Sequence, residues 1–335
     1  MNTQTDYSKV DSILIAYPLG YKNEYNELTT FYDKLITKIP FDITITAIVN
    51  NNGAKERLKL KFKNRTINVV VFEEWCDIWV RDIIGIGVNN SVVKPIYAPG
   101  YCNYLTSTCD VNKIDNYAKL LIKENFGKQL KNLPLKIDGG NIVINRTYAF
   151  ITRRIFDDNP NFKEEEILKI LSENLGITPI IVPVNIGDTV AHIDGYLAFM
   201  DDNTVAIVEY PKMDLFKHDN AYSDKLVRYC SDINLRIVMI KDRPVNQTVP
   251  CQCNLKSKKK YCCYSAVGNY INYIRLNNTI ILPEYTLPTL KETMYYNNVN
   301  EETLSNMGFQ VIKINCDAVA QFGGSLRCLS YTWKS

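Results

Sequence analysis

Long apolar runs are missing from this chain. The longest, such as Thr279 to Pro283 and Ile180 to Val184, are far too short to span a bilayer. The first twenty residues, MNTQTDYSKVDSILIAYPLG, lack a basic stretch followed by a long apolar run, so no secretory leader is read there and a cytoplasmic location is expected. An excess of one charge is also missing. Lys and Arg number 39 against 36 Asp and Glu, a net charge of +3, which creates no global field of the kind that draws a protein to nucleic acid. No Walker or dinucleotide glycine pattern is present, so a nucleotide cofactor has no support and none is expected. Histidine is scarce: the two are His192 and His218, and His218 sits in the polar stretch Lys217-His218-Asp219-Asn220, where it is given no role.

Cysteine is not scarce, but the ten present suit a disulfide framework only in a much shorter secreted chain, and mostly reduced thiols are expected. Cys251-x-Cys253 and Cys262-Cys263 fit no structural zinc spacing, which argues against a metal. The basic run Lys256 to Lys260 between them lacks interleaved aromatics and reads as a solvated loop. The remaining partner is a small molecule, with a homodimer as a further expectation for the assembly.

At 335 residues and 46% hydrophobic, the chain can bury a large core. Short β-rich runs alternate with helical patterns throughout. Ile13 to Tyr17 and Phe41 to Val49 read as strands around a helix from Asn26 to Lys38. Ile67 to Phe72, Ile83 to Val88 and Val92 to Tyr97 follow as strands, the last pair across Asn89-Asn90, then a helix from about Ile114 to Asn125. A third unit holds a hairpin through Ile142 to Ile144 and Tyr148 to Thr152, a helix from Phe162 to Leu175 and a strand from Ile180 to Val184. The fourth runs His192 to Phe199, Val205 to Tyr210, helix Tyr222 to Cys230 and Leu235 to Ile240. The fifth runs Asn269 to Leu276, Thr279 to Pro283, a helix near Glu301 to Met307 and Phe309 to Ile314. Five such units at roughly 50 to 70 residues each suggest repeats closed around an axis, with an open α/β sheet bearing hairpin insertions as the competing arrangement. No Pro/Gly/Ser linker divides the chain, so one domain over 1–335 is expected.

Polar residues that a structural repeat does not need stand at several strand beginnings and turns: Trp79-Val80-Arg81-Asp82, Asp138-Gly139-Gly140-Asn141, His192-Ile193-Asp194 and Tyr270-Ile271-Asn272. The chain closes on Gly323-Gly324-Ser325-Leu326-Arg327-Cys328, where two glycines let backbone approach a ligand. A cysteine with a histidine from elsewhere in the chain is the general signature of an activated thiol. Singly, each has an ordinary reading. Cys328 can be a small buried hydrophobe, Arg81 and Asp82 an ion pair, Asp138-Gly139-Gly140 a turn, and His192 and Asp194, two apart on one face of a strand, a solvated or capping pair.

Taken in order and approximate spacing, Asp77 to Asp82, Asp138 to Asn141, His192 to Asp194, Asn269 to Tyr273 with Ile280 to Pro283, and Gly323 to Cys328 resemble the agmatine deiminase and Porphyromonas-type peptidylarginine deiminase family. The resemblance covers nearly the whole chain and implies an α/β pentein fold, a five-fold pseudosymmetric ββαβ propeller. It implies a cysteine-dependent guanidine deiminase, most simply agmatine plus water giving N-carbamoylputrescine and ammonia through a covalent thiouronium, with no cofactor. In that scheme Cys328 attacks the guanidinium carbon, Asp82 and Asp194 clamp the guanidinium, His192 serves as acid and then base, and Asp138 orients His192. Asn272 supports the cysteine region or the bound group. Trp79, Tyr101 and Tyr104 are expected to bind substrate, the tyrosines by sandwiching the alkyl chain. Two departures bear on the substrate. Agmatine enzymes usually end Gly-Gly-Gly-Asn-Ile-His-Cys, whereas Ser325 and Arg327 stand here, so that Arg327 either lowers the thiol pKa or points away. Arg153-Arg154 could pair with an α-carboxylate, which keeps free or C-terminal arginine as the alternative substrate. An inactive binding pentein is the third possibility.

Overall fold

The computed structural model describes residues 1–99, 109–186, 188, 190–245 and 265–335. Expectations placed on Tyr101, Tyr104, Cys102, Cys251, Cys253, Cys262, Cys263 and the run Lys256 to Lys260 lie outside the described residues.

The first part of the chain forms β1 (Ser12–Ala16), α1 (Thr29–Lys38), β2 (Thr44–Val49), α2 (Asn52–Lys61) and β3 (Ile67–Val71). Next come α3 (Val80–Ile84), β4 (Ile86–Val88), β5 (Ser91–Ile96), α4 (Val111–Leu120) and β6 (Gln129–Lys136). The third unit comprises β7 (Val143–Ile144), β8 (Tyr148–Thr152), α5 (Arg154–Asp158), α6 (Glu164–Leu175) and β9 (Thr178–Val182). The fourth comprises β10 (Leu197–Phe199), β11 (Thr204–Glu209), α7 (Lys217–Asp232) and β12 (Arg236–Lys241). The last stretch holds β13 (Ile274–Leu276), β14 (Thr279–Glu284), α8 (Leu290–Asn306), β15 (Gln310–Asn315), α9 (Asp317–Ala320) and β16 (Ser330–Trp333).

Among the described residues these strands make five small mixed sheets, and no strand pairing joins one sheet to another. Four share one order: an antiparallel hairpin, one or more helices, then a strand parallel to the hairpin's second strand. The fifth sheet, β16-β1-β2-β3, gets its antiparallel strand from the other end of the chain, with Ser12 opposite Trp333 and Ile15 opposite Ser330. That pairing fixes the segment carrying Cys328 against the first strand. Hairpin register follows from turn chemistry, since Asn89 and Asn277 take the left-handed φ of 53° and 57° that asparagine tolerates.

Several elements differ from the sequence expectation, three of them outside the candidate site. Ile83 to Val88 is not one strand: α3 ends at Ile84, and Gly85, at φ 111°, turns the chain into β4. A Cβ there would lie 2.5 Å from the Val93 carbonyl oxygen, so only glycine fits. Helix α2 had no apolar stripe to announce it, burying only Ala54 and Leu58, and Asn51 caps it by accepting from the Ala54 N–H at 2.7 Å. Helix α8 begins well before Glu301 because its buried face is partly amide: Asn300 bonds both the N–H and carbonyl of Lys241 at 2.8 Å, and Asn297 accepts from Tyr270 Oη at 2.7 Å. Such a face is invisible to a hydrophobic periodicity.

Of the described cysteines, Cys76 and Cys109 are joined as a disulfide with Cα atoms 5.8 Å apart, a pair that the expectation of reduced thiols did not anticipate. Cys230, Cys316 and Cys328 are free. Among the described residues no helix is long and apolar enough to cross a membrane.

Candidate active site

Helix α3 packs against the short 3₁₀ turn Gly139–Asn141, and that turn against a second one, Ile193–Gly195. His192 and Asp194 therefore do not lie two apart on a strand. His192 is the extended residue entering the turn and Asp194 lies within it, which brings both side chains to one cavity. Three turns thus carry Asp82, Asp138, His192 and Asp194, all buried. Glycine makes their convergence possible. A Cβ on Gly140 would lie 2.5 Å from His192 Nδ1, 2.9 Å from Asp82 Oδ1 and 3.2 Å from Asp194 Oδ2. All three polar atoms surround the same bare backbone.

His192 Nε2 bonds Asp138 Oδ2 at 3.0 Å, while its Nδ1 lies 3.8 Å from Asp82 Oδ1, which also accepts from the Gly140 N–H at 2.8 Å. Arg154 approaches Asp138 from behind at 3.7 Å. Asn272 organises the cysteine end. Its Oδ1 accepts from the Arg327 N–H at 3.0 Å and the Cys328 N–H at 3.3 Å and lies 3.4 Å from Cys328 Sγ, while its Nδ2 donates to the Asp194 carbonyl at 3.4 Å. Trp79 is wedged nearby, donating to Tyr25 Oη at 3.1 Å, with its ring against Gly324 so that any Cβ there would overlap it.

Charge follows from this burial. Burial alone would lower the His192 pKa, yet Asp82 and then Asp138 outweigh it and raise it to about 9. An opposite charge near 4 Å is worth roughly 4 kcal/mol at an effective dielectric constant of 20, enough to reverse the desolvation cost. Asp82 is raised to about 6, chiefly by burial and against the pull of His192. Burial, followed by the carboxylates of Asp194 and Asp82, holds the Cys328 thiol well above its ordinary range. Near neutral pH these shifts favour an imidazolium at His192 and a protonated thiol at Cys328.

These groups line a cavity of about 140 Å³ with Trp79, Asp82, His192, Asp194, Asn272 and Cys328 on its wall. A match to the family described as Porphyromonas-type peptidyl-arginine deiminase spans residues 2–333. The chain belongs to that family. A comparison with curated proteins finds no match. Among solved structures, agmatine deiminase from C. jejuni with substrate bound is similar at 17% identity and a TM-score of 0.76, over 99% of this chain and 95% of that one. Agmatine deiminase of Enterococcus faecalis is similar at 12% identity and a TM-score of 0.74, over 99% and 95%. A dimethylarginine dimethylaminohydrolase adduct is similar at 14% identity and a TM-score of 0.55, over 97% and 100%. At these identities the likeness carries the α/β fold of those deiminases.

Within this deiminase fold, Cys328, His192, Asp82, Asp138, Asp194, Asn272 and Trp79 come together as the sequence suggested. Arg154 does not join them on the wall. Its guanidinium is committed to Asp158 at 3.0 Å, to Asp138 and to the Val190 carbonyl, so its contact with the site runs through Asp138. Arg153 is exposed and pairs with Glu164 at 2.7 Å. Sequence reasoning missed Asp188, Asp219 and Asp242, which share the cavity wall with Tyr196 and Tyr210. Asp188 stands four residues before His192 and accepts from Tyr196 Oη at 2.8 Å, so proximity to the histidine was the signal available. Among the described residues no group of His, Cys, Asp and Glu is arranged to hold a metal ion.

Proposed function

We propose that this chain is a cysteine-dependent guanidine deiminase acting on agmatine, yielding N-carbamoylputrescine and ammonia. One observation carries the choice of substrate. The described cavity wall presents the carboxyls of Asp82, Asp188, Asp194, Asp219 and Asp242 and no lysine or arginine. His192 brings the one cationic side chain on the described wall, and burial holds the Asp242 carboxyl well above its usual range, but the acids still predominate, so a ligand with a guanidinium at one end and an amine at the other is matched better than one bearing an α-carboxylate. Arg153 and Arg154, the two residues that could have read a carboxylate, are engaged elsewhere. We also read the five sheets as blades of a single-domain, five-fold pseudosymmetric pentein propeller, a reading supported by the repeated hairpin–helix–strand order.

In this mechanism Asp82 and Asp194 grip the planar guanidinium, whose N–H fork suits carboxylates, and keep it cationic and electrophilic. Bound positive charge offsets the two carboxylates that disfavour the thiolate, so Cys328 releases its proton to solvent as substrate settles in place. The thiolate sulfur bonds to the guanidinium carbon, the imidazolium of His192 delivers a proton to the departing amine, and ammonia leaves. His192, now neutral, takes a proton from water. The resulting hydroxide adds to the thiouronium carbon, and the Cys328 sulfur leaves and takes up the hydroxyl proton, which restores the thiol and releases the neutral ureido product. Asp138 holds the imidazole through Nε2.

Ammonia release should favour agmatine over free arginine, and over a peptide ending in arginine, by at least about 100-fold in kcat/KM, roughly 2.7 kcal/mol. A preference for either carboxylate-bearing substrate sinks the assignment. The pH–rate profile should be bell-shaped, since the Asp82 carboxylate is present only above about 6 and the His192 imidazolium only below about 9. In the substrate-free enzyme, alkylation of Cys328 by iodoacetamide should still be accelerating above pH 9. A midpoint below pH 7 would mean a resting thiolate and overturn the substrate-assisted step. Gly140→Ala should cost at least about 100-fold in kcat/KM, because its methyl displaces the three groups around it. Retention of more than a third of the activity would show that this convergence does not matter.

A further inference from the structure

Arg327 and Cys328 are neighbours in sequence but line different spaces. Cys328 lines the cavity described above, and Arg327 lines a second one of about 60 Å³ that also touches Asp6, Arg81 and Arg275. Asp194 bridges them: it lines the first cavity, and its Oδ2 accepts from Arg327 Nη1 at 2.6 Å. The other arm of the guanidinium, Nη2, donates to Asp6 Oδ1 at 2.9 Å and to the Ile142 carbonyl at 3.3 Å. Asp6 is itself fixed, its Oδ2 accepting from the Ile144 N–H at 3.2 Å. Asp194 is 2% exposed and Arg327 is 8% exposed, so both charges are largely withdrawn from bulk water.

We propose that Arg327 is a positioning residue for the guanidinium clamp, holding Oδ2 of Asp194 from behind and so setting the orientation and charge with which Asp194 meets a cationic ligand. The inference rests on the assignment of Asp82 and Asp194 as that clamp. Two buried carboxylates around one spot repel each other, and each gains by taking up a proton unless a cation stands nearby. Asp82 has His192 at 3.8 Å. Asp194 has Arg327. The planar fork reaches two carboxylates and a carbonyl at once, which a lysine's single ammonium does not do. Asp6 matters because it takes up part of the Arg327 charge. Without it the whole cation falls to Asp194 and opposes an incoming guanidinium.

The test is calorimetric and needs no turnover. In a Cys328→Ala background, agmatine reports on the charged clamp, and N-carbamoylputrescine, uncharged at the same end, reports on the shape of the site. Arg327→Gln should weaken agmatine at least about tenfold, or 1.4 kcal/mol, with the ureido compound within twofold of the parent, and Arg327→Lys should recover part of the loss. Asp6→Asn, an independent variant should Arg327→Gln fail to fold, should weaken agmatine about threefold or more with the same selectivity. Equal loss of both ligands means a purely structural ion pair and overturns the proposal, as does agmatine affinity that is unchanged or improved in either variant. If the Cys328→Ala parent binds neither ligand, the clamp assignment itself fails, a result distinct from both.

Discussion

Replacing Cys328 by alanine is expected to lower ammonia release from agmatine by at least about 10⁴-fold while leaving agmatine binding measurable. The size of the effect follows from chemistry that nothing else on the wall can supply. A guanidinium carbon is a poor electrophile, and splitting its hydrolysis into two steps requires a nucleophile that can later leave. Among the described residues the other free thiols, Cys230 and Cys316, are poor substitutes. Burial raises Cys230 to about 12 and holds Cys316 well above its usual range, and neither lines the cavity. Rapid quenching of the unmodified enzyme should trap a covalent adduct on Cys328 by intact mass. Substantial turnover by the alanine variant, above about one part in a hundred of the original, would rule out covalent catalysis at this residue.

Replacing His192 by glutamine should cost about 10³-fold in kcat, with KM changed far less, because its proton is delivered in the transition state and the clamp is made by other side chains. The same variant should lose the alkaline limb near pH 9, since that limb belongs to the imidazolium held between Asp82 and Asp138. The acid limb should shift upward as well. The largest influence on Asp82 after burial is the attraction of His192, so removing the imidazolium makes its carboxyl harder to ionise. An unchanged profile in the glutamine variant would mean that other groups set both limbs.

Several elements were legible because their residues carry a local signal. Asn89-Asn90 and Asn277-Asn278 mark turns because asparagine tolerates a left-handed backbone, and the strands beside them follow from β-branched runs. Helix α6 shows its acidic first turn at Glu164 to Glu166 and its left-handed Gly176 at the end. Helix α8 failed the same test because Asn297 and Asn300 do work that apolar residues do elsewhere. The His192 turn was misread as a strand, since Ile193 within it and Leu197 just after it are apolar residues that suit either form.

By itself the sequence singled out a candidate reactive set: Cys328 after two glycines, His192, and the acids Asp82, Asp138 and Asp194 at turns and strand beginnings of separate repeats. Those residue types at those places are chemistry written locally, and order along the chain suffices to relate them to a family. Which of them touch was decided by tertiary structure. Asn272 meets Cys328 across 56 positions and Arg327 meets Asp194 across 133, distances along the chain that no local pattern encodes. The reach of Arg327 to Asp6 spans 321 positions, and it exists because β16 returns to pair with β1 and brings the two ends of the chain to the same wall. The acidic lining on which the proposed substrate choice rests was hidden for the same reason. Asp188, Asp219 and Asp242 look like surface acids in sequence, and only the packing of α7 and the hairpins around one cavity turns them inward.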